Sequence, residues 1–175
     1  VVLAGQNGPG ATNLVTGLGQ AKAAFSPVVA LAGMLAQGHV YRDAFQEVDQ
    51  QALFTPVTKK TWTVPSADRV TEIMAEGFRH AMSPRRGPVL VNMPRNVLAA
   101  QTDQPSVSDP IHTRAHSTPA GASDQIGQAA KMLAKAARPV IVVGGGLKST
   151  FESDAACRLA ETLHGRVGVS KKDSG

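Results

Sequence analysis

The chain has 175 residues, 42% hydrophobic and 18% charged, with a formal net charge of +5, which suits one globular domain or one domain and part of another. No apolar run approaches the roughly 20 residues that span a bilayer, no basic-then-apolar signal segment opens the chain, and the single Cys157 excludes an internal disulfide framework and a multi-thiolate metal site, so no membrane and a cytoplasmic protein are expected. The basic residues are scattered, with Lys59-Lys60, Arg85-Arg86 and Lys171-Lys172 as isolated pairs, and one Trp and one Tyr give little capacity for base stacking, so no nucleic acid partner is expected.

Strand and helix signals alternate along the chain, the pattern of an α/β fold with a mostly parallel sheet. Val1 to Ala4 is a short apolar strand running into a glycine-rich turn, after which Thr12 or Asn13 can cap a helix through about Ala24. Pro27 to Ala32 reads as a buried parallel strand. A polar loop follows from Gly33 to Glu47, then a short helix from Gln50 to Phe54 and a strand over Val57 to Val64. Between Ala67 and Met82, Val70, Ile73, Met74, Gly77, Phe78 and Ala81 repeat at the spacing of one buried helix face. Gly87-Pro88 introduces the strand Val89 to Met93, which Pro94 ends.

From residue 98 to 122 the periodicity disappears among Pro105, Pro110 and Pro119, as in an interdomain linker. A second unit begins near Ser123. Its helix is expected to bury Ile126, Ala130, Leu133 and Ala137, and a strand over Pro139 to Val143, a helix to about Leu163 and a strand over Arg166 to Ser170 make one βαβ unit. Cys157 falls in that helical pattern and is expected to be a small packed side chain. Both ends read as an excerpt: the chain opens inside a strand and stops just after another.

Three stretches carry candidate chemistry. Gly8-Pro9-Gly10-Ala-Thr-Asn13 sits where a strand passes into a helix, on the sheet edge where open α/β folds bind ligands. Glycine there either lets backbone approach a ligand or simply makes a tight turn. Asp43-Ala-Phe45-Gln46-Glu47-Val-Asp49 closes the polar loop, where an aromatic and an amide either face a pocket or fold back on the core. Arg85-Arg86-Gly-Pro-Val-Leu-Val-Asn-Met-Pro94-Arg95 is a strand with basic residues at both ends, and its Arg95 shares the edge of Gly10. Other signals are weak. Gly144-Gly-Gly146 has Ser149 where a dinucleotide fingerprint needs its third glycine, Lys148-Ser149 lacks the glycines of a P-loop, and His112 and His116 lie in a proline-containing linker, a poor place for metal ligation.

Taken in order and spacing, Gly-Pro-Gly-Ala-Thr-Asn-Leu-Val-Thr-Gly, Ser-Pro-Val-Val-Ala-Leu-Ala-Gly, Asp-Ala-Phe-Gln-Glu-Val-Asp and Gly-Pro-Val-Leu-Val-Asn-Met-Pro-Arg closely resemble acetolactate synthases and related thiamine-diphosphate enzymes. The expected fold class is α/β: a flavodoxin-like parallel sheet with helices on both faces, followed by the first part of a second, Rossmann-like α/β domain. The resemblance implies that residues 1–97 are the later part of a pyrimidine-binding domain, 98–122 a linker and 123–175 the start of a central domain.

It also implies roles. Gly8, Pro9, Gly10 and Asn13 match the loop against the cofactor's pyrimidine end. Met34 stands beside the cofactor, where synthases usually carry Gln. Phe45 and Gln46 are similar to residues bordering the substrate pocket, and Arg95 occupies a place where synthases usually carry Lys. Arg85 matches an Arg that contacts FAD in flavin-retaining members. The family's activating Glu and its Mg²⁺ and diphosphate motif match no residue here; Mg²⁺ is expected through another domain. The implied protein is a homo-oligomer with its active site between chains, acting on a 2-oxo acid as a transferase, with a decarboxylase, oxidase or lyase of the same superfamily as the alternative, or a non-catalytic flavin- or nucleotide-binding module from another class. Because carboxyl-end positions converge on one rim, Gly10, Phe45 and Arg95 are expected in one cleft, Gly10 deepest.

Overall fold

The structure is a computed structural model and describes residues 1–103, 121–144, 150–163 and 166–169. The chain divides into two units, Val1–Thr118 and Pro119–Gly175.

The first unit is built on four parallel strands, β1 (Val2–Gly5), β2 (Val29–Met34), β3 (Thr61–Thr63) and β4 (Val89–Pro94), in the order β1-β2-β4-β3. Gly5 pairs with Ala32, and Met34 with Pro94, so β1, β2 and β4 end on one edge. Alternation of side chains sorts the sheet residues onto two faces. Ala30, Ala32 and Leu90 face a core containing Ala11, Leu18, Ala21 and Phe54 from helices α1 (Pro9–Thr12), α2 (Leu14–Ala23) and α3 (Gln50–Phe54). Val29, Val89, Val91 and Met93 face the other way, against Ile73 and Ala81 of α4 (Val70–Met82). With helices on both faces, every residue of β4 is buried, which is why that strand reads as an unbroken apolar run.

The spaced apolar residues of α4 fall as expected, with Ile73, Gly77 and Ala81 buried and Val70, Met74 and Phe78 packed beside the core. Burial of Ile73 alone is worth roughly 1.5–3 kcal/mol, whereas the Arg69–Glu72 pair at 2.6 Å is exposed and adds little. Packing, not surface charge, makes this helix. The two sheet edges differ. On β1, Val2 is 51% and Leu3 37% exposed; beside β3, the Lys60 ammonium lies 4.8 Å over the Trp62 ring.

Two local readings need correction. The first helical turn starts at Pro9, not after Thr12 or Asn13: Gly8 precedes it with φ 62°, and proline, with its preset φ and missing N–H, suits the first position. The Thr12 hydroxyl donates to the Pro9 carbonyl at 3.0 Å, and Asn13 makes no side-chain cap. The strand expected over Val57 to Val64 shrinks to Thr61–Thr63, because Pro56 joins a 3-10 turn, Thr55–Val57, and both the amide and the hydroxyl of Thr58 donate back to the Phe54 carbonyl.

Most of the expected linker, residues 104–120, lies outside the described residues, as do His112 and His116. What precedes it stays with the first unit, through helix α5 (Arg95–Leu98) and the Thr102 hydroxyl donating to Asp68 at 2.7 Å. The second unit contains α6 (Ser123–Lys135), β5 (Val140–Val143), α7 (Thr150–Thr162) and β6 (Arg166–Val169). β5 and β6 pair in parallel with α7 packed on both. The stripe expected to be buried on α6 is not: Ile126 is 57% exposed, Ala130 is exposed, only Leu133 is half-buried, and Ala137 lies beyond the helix. Val140 and Val142 are exposed too, so among the described residues that stripe has no second layer against it. Cys157 is exposed rather than packed. The residues after Gly144 through Ser149 lie outside the described ones.

Candidate active site

A cavity of about 810 Å³ opens past the carboxyl ends of β1, β2 and β4. Its walls come from the three segments that leave those strands: Gly5 to Asn7 after β1, Met34 through Gln46 after β2, and Arg95 with Leu98 on α5 after β4. Leu31, Met34, Leu35, Met93, Leu98 and Phe45 make it apolar, with the amides of Gln6, Asn7 and Gln46 at its margins and His39 and Arg95 as its basic side chains. No carboxylate lines it among the described residues. An apolar slot with a few amide donors and a cationic end suits a flat heteroaromatic ring and an anionic co-ligand.

Of the residues singled out from sequence, Met34, Phe45, Gln46 and Arg95 meet at this cavity. Gly8, Pro9, Gly10 and Asn13 do not line it, although Gly8 and Gly10 pack against lining residues. A Cβ on Gly10 would come within 2.9 Å of the Gln6 Cβ; one on Gly5 would stand 2.7 Å from the Gly10 carbonyl oxygen; one on Gly8 would stand 2.6 Å from the Gln46 Cβ. Gly10, expected deepest in the cleft, is not among the cavity's lining residues; Gln6 and Asn7 line it instead. The glycines let three stretches of chain touch, and Gly8 also adopts a positive φ that side chains resist. Arg85 lies before β4, at the opposite end of the sheet, with its guanidinium 5.5 Å from the Phe25 ring centroid. Sequence reasoning missed Gln6, Asn7, His39 and Leu98. The first two stand between an apolar run and Gly8 and could have been read as the tip of the turn; nothing local marks His39.

The loop carrying Phe45 and Gln46 is folded around one carboxylate. Glu47 accepts from the backbone N–H of Tyr41 at 2.5 Å, Ala44 at 3.0 Å and Arg42 at 3.3 Å, while Tyr41, Asp43 and Gln46 take positive φ. Three non-glycine residues in the left-handed region cost free energy, which the shared acceptor offsets, and Phe45 is left 86% exposed at the cavity rim. The amides of Ala44 and Tyr41, in that order, hold the Glu47 carboxyl below the usual carboxylate range. A depressed folded value means that the stabilisation is present above the unfolded pKa and is lost as pH falls through the folded one. Hydrogen-exchange protection of the Tyr41 and Ala44 amides should therefore drop on acidification across that window. Glu47→Gln should lower it at neutral pH and remove the pH step; a step that persists in the variant would exclude Glu47 as its origin.

A profile of the thiamine pyrophosphate enzyme N-terminal TPP binding domain matches residues 1–53. The chain is 35% identical over 166 residues to a probable acetolactate synthase large subunit of Methanococcus aeolicus, and 41% identical over 141 residues to the acetolactate synthase isozyme 2 large subunit of Escherichia coli K12. The chain belongs to the acetolactate synthase-like thiamine-diphosphate enzymes. These alignments cover 93% and 81% of the chain but 28% and 25% of the two relatives. Among solved structures, this acetolactate synthase-like chain superposes on a thiamine diphosphate-dependent 4-hydroxybenzoylformate decarboxylase of Rhodococcus jostii RHA1 with a TM-score of 0.81 and 26% identity, over 96% of the chain and 32% of that structure. Among the described residues, no helix is long and apolar enough to cross a membrane.

Proposed function

We propose that this chain supplies the pyrimidine-side wall of the active site in a cytoplasmic, homo-oligomeric thiamine-diphosphate enzyme that decarboxylates a 2-oxo acid and transfers the resulting acyl unit, as an acetolactate synthase does. The observation that carries the reading is the cavity itself: the family's matching segments put Met34, Phe45, Gln46 and Arg95 around one apolar space at the carboxyl edge of a parallel sheet. The residues fit the cofactor's ring, because Leu31, Met34 and Met93 offer flat apolar contact and Gln6, Asn7 and Gln46 offer amides for ring nitrogens. Gly8, Pro9, Gly10 and Asn13 serve it from behind, by holding Gln6 and Asn7 in the wall.

Bound thiamine diphosphate supplies the electron sink for decarboxylation, and the protein supplies binding, orientation and a dry pocket. In this reading Phe45 and Leu98 exclude water at the rim, Gln46 orients the bound ring, and Arg95 holds the substrate carboxylate through its planar donor fork. A second copy closes the open mouth, and Mg²⁺ is held with the diphosphate by residues outside this chain. A decarboxylase that protonates instead of transferring the acyl unit is the second reading, favoured by the structural likeness to the 4-hydroxybenzoylformate decarboxylase. Flavin is a separate proposal: FAD, if retained, would meet Arg85 at the opposite end of the sheet, and a yellow colour lost on flavin removal checks it. The full-length protein, loaded with thiamine diphosphate and Mg²⁺ and given pyruvate, is expected to release CO₂ and form acetolactate. Release of CO₂ with aldehyde as product selects the second reading, and absence of cofactor binding overturns both.

A further inference from the structure

The pairing of β2 with β4 does not stop where the sheet does. Met34 and Pro94 are the last register partners. Three residues beyond the one and two beyond the other, Gln37 and Asn96 join the same two chains side by side. The Gln37 amide N–H donates to Asn96 Oδ1 at 2.9 Å, and Asn96 Nδ2 donates back to Gln37 Oε1 at 2.8 Å. Gln37 Nε2 donates in turn to the Pro65 carbonyl at 3.0 Å, tying in the segment that follows β3. One asparagine and one glutamine thus clasp three strand exits together.

The clasp lies close in sequence to both basic residues of the cavity wall. Gln37 opens the 3-10 turn Gln37–His39, so it sits two residues from His39; Asn96 follows Arg95 directly on α5. His39 and Arg95 are the basic side chains of the cavity wall, and each comes from a different loop. An imidazole donates a hydrogen bond in either protonation state, and a guanidinium offers a rigid fork. We infer that the Gln37–Asn96 clasp is a positioning pair that sets His39 opposite Arg95, so that the two donors share the carboxylate of the 2-oxo acid. The inference rests on the proposed reading of the cavity as a 2-oxo acid site. It adds His39 as a substrate contact and assigns Gln37 and Asn96 a role acting through it.

The test uses the full-length enzyme and its Asn96→Ala, Asn96→Asp, His39→Ala and Asn96→Ala/His39→Ala variants. Loss of the clasp should raise KM for pyruvate by about 3- to 10-fold, the equivalent of one or two net hydrogen bonds, with kcat within about twofold and thiamine diphosphate affinity unchanged. Asn96→Asp keeps the acceptor for the Gln37 amide and should recover part of that loss. The double variant should be no worse than His39→Ala alone, because the clasp acts through His39. Hydrogen-exchange protection of the Gln37 amide reads the clasp without reference to activity and should fall in Asn96→Ala. If protection falls while KM stays put, or if KM, kcat and thermal stability all move together, the positioning role is overturned, whereas the cavity reading survives as long as Arg95→Ala raises KM. If the unaltered enzyme neither binds thiamine diphosphate nor uses pyruvate, the cavity reading fails and this inference falls with it.

Discussion

Gly8→Val is expected to be among the most damaging single substitutions in the first unit. Gly8 is buried, has φ 62°, and a Cβ there would lie 2.6 Å from the Gln46 Cβ and 3.0 Å from the Gln46 carbonyl oxygen. A branched residue held at that φ costs roughly 1–3 kcal/mol in backbone strain, and forcing it against a packed neighbour adds about 1–3 kcal/mol. The sum, roughly 2–6 kcal/mol, is large beside a domain stability on the order of 5–15 kcal/mol. The chain that must yield is Phe45-Gln46, so the cavity wall shifts with it, and cofactor affinity should fall along with the denaturation midpoint. Gly17→Ala is the matched control: Gly17 lies within α2 with nothing within 4 Å of its added Cβ, and alanine there should gain roughly 0.5–1 kcal/mol. If Gly8→Val unfolds and binds thiamine diphosphate like the parent, the close contact between these two loops is wrong.

Arg95→Ala should act on the substrate and leave the cofactor alone. Arg95 opens α5 immediately after β4 and lines the cavity from an exposed position, so it contributes little to the core. Losing a charge-assisted hydrogen bond to a carboxylate removes about 1.5–3 kcal/mol, which is about 10- to 150-fold in kcat/KM. Arg95→Lys keeps the charge but not the fork, and should fall between. Thiamine diphosphate titrations of all three proteins should superimpose. A methyl ester of the same 2-oxo acid separates charge recognition from general packing: if Arg95→Ala slows the ester as much as the acid, the arginine is not reading the carboxylate.

Much of this layout was legible before any coordinates. The runs Val28 to Ala32 and Val89 to Met93 could hardly be other than strands buried on both faces, and the apolar spacing from Val70 to Ala81 has one helical solution. Local residue types leave the glycine turn and the Phe45-Gln46 loop open between a pocket and a plain structural role. It is the resemblance carried by the four motifs together, with the convergence of carboxyl-end loops, that puts Phe45, Gln46 and Arg95 on one rim. What escaped the sequence depended on contacts distant along it. Gly5, Gly8 and Gly10 let the chain fold closely against itself and against Gln46, beside the Gln6 and Asn7 that line the cavity, a packing role that the sequence alone does not distinguish from ligand contact. His39 follows, by two residues, a Gln37 that is hydrogen-bonded to a residue 59 positions away. On α6, periodicity correctly gave a helix, yet a stripe of apolar residues says only what could be buried, not what lies against it.

The unequal edges of the first sheet bear on how this chain behaves when handled by itself. A cation stands guard beside β3, the usual device against unwanted strand addition. On β1, which among the described residues pairs only with β2, no such cation is seen: Val1 to Ala4 carry no side-chain charge, and Val2 and Leu3 expose their side chains. Growth by strand addition is therefore one-sided. Two copies meeting along β1 about a twofold axis would run antiparallel and use up the open edge of both, giving a closed pair rather than a fibre, and a lysine at Leu3 would discourage even that.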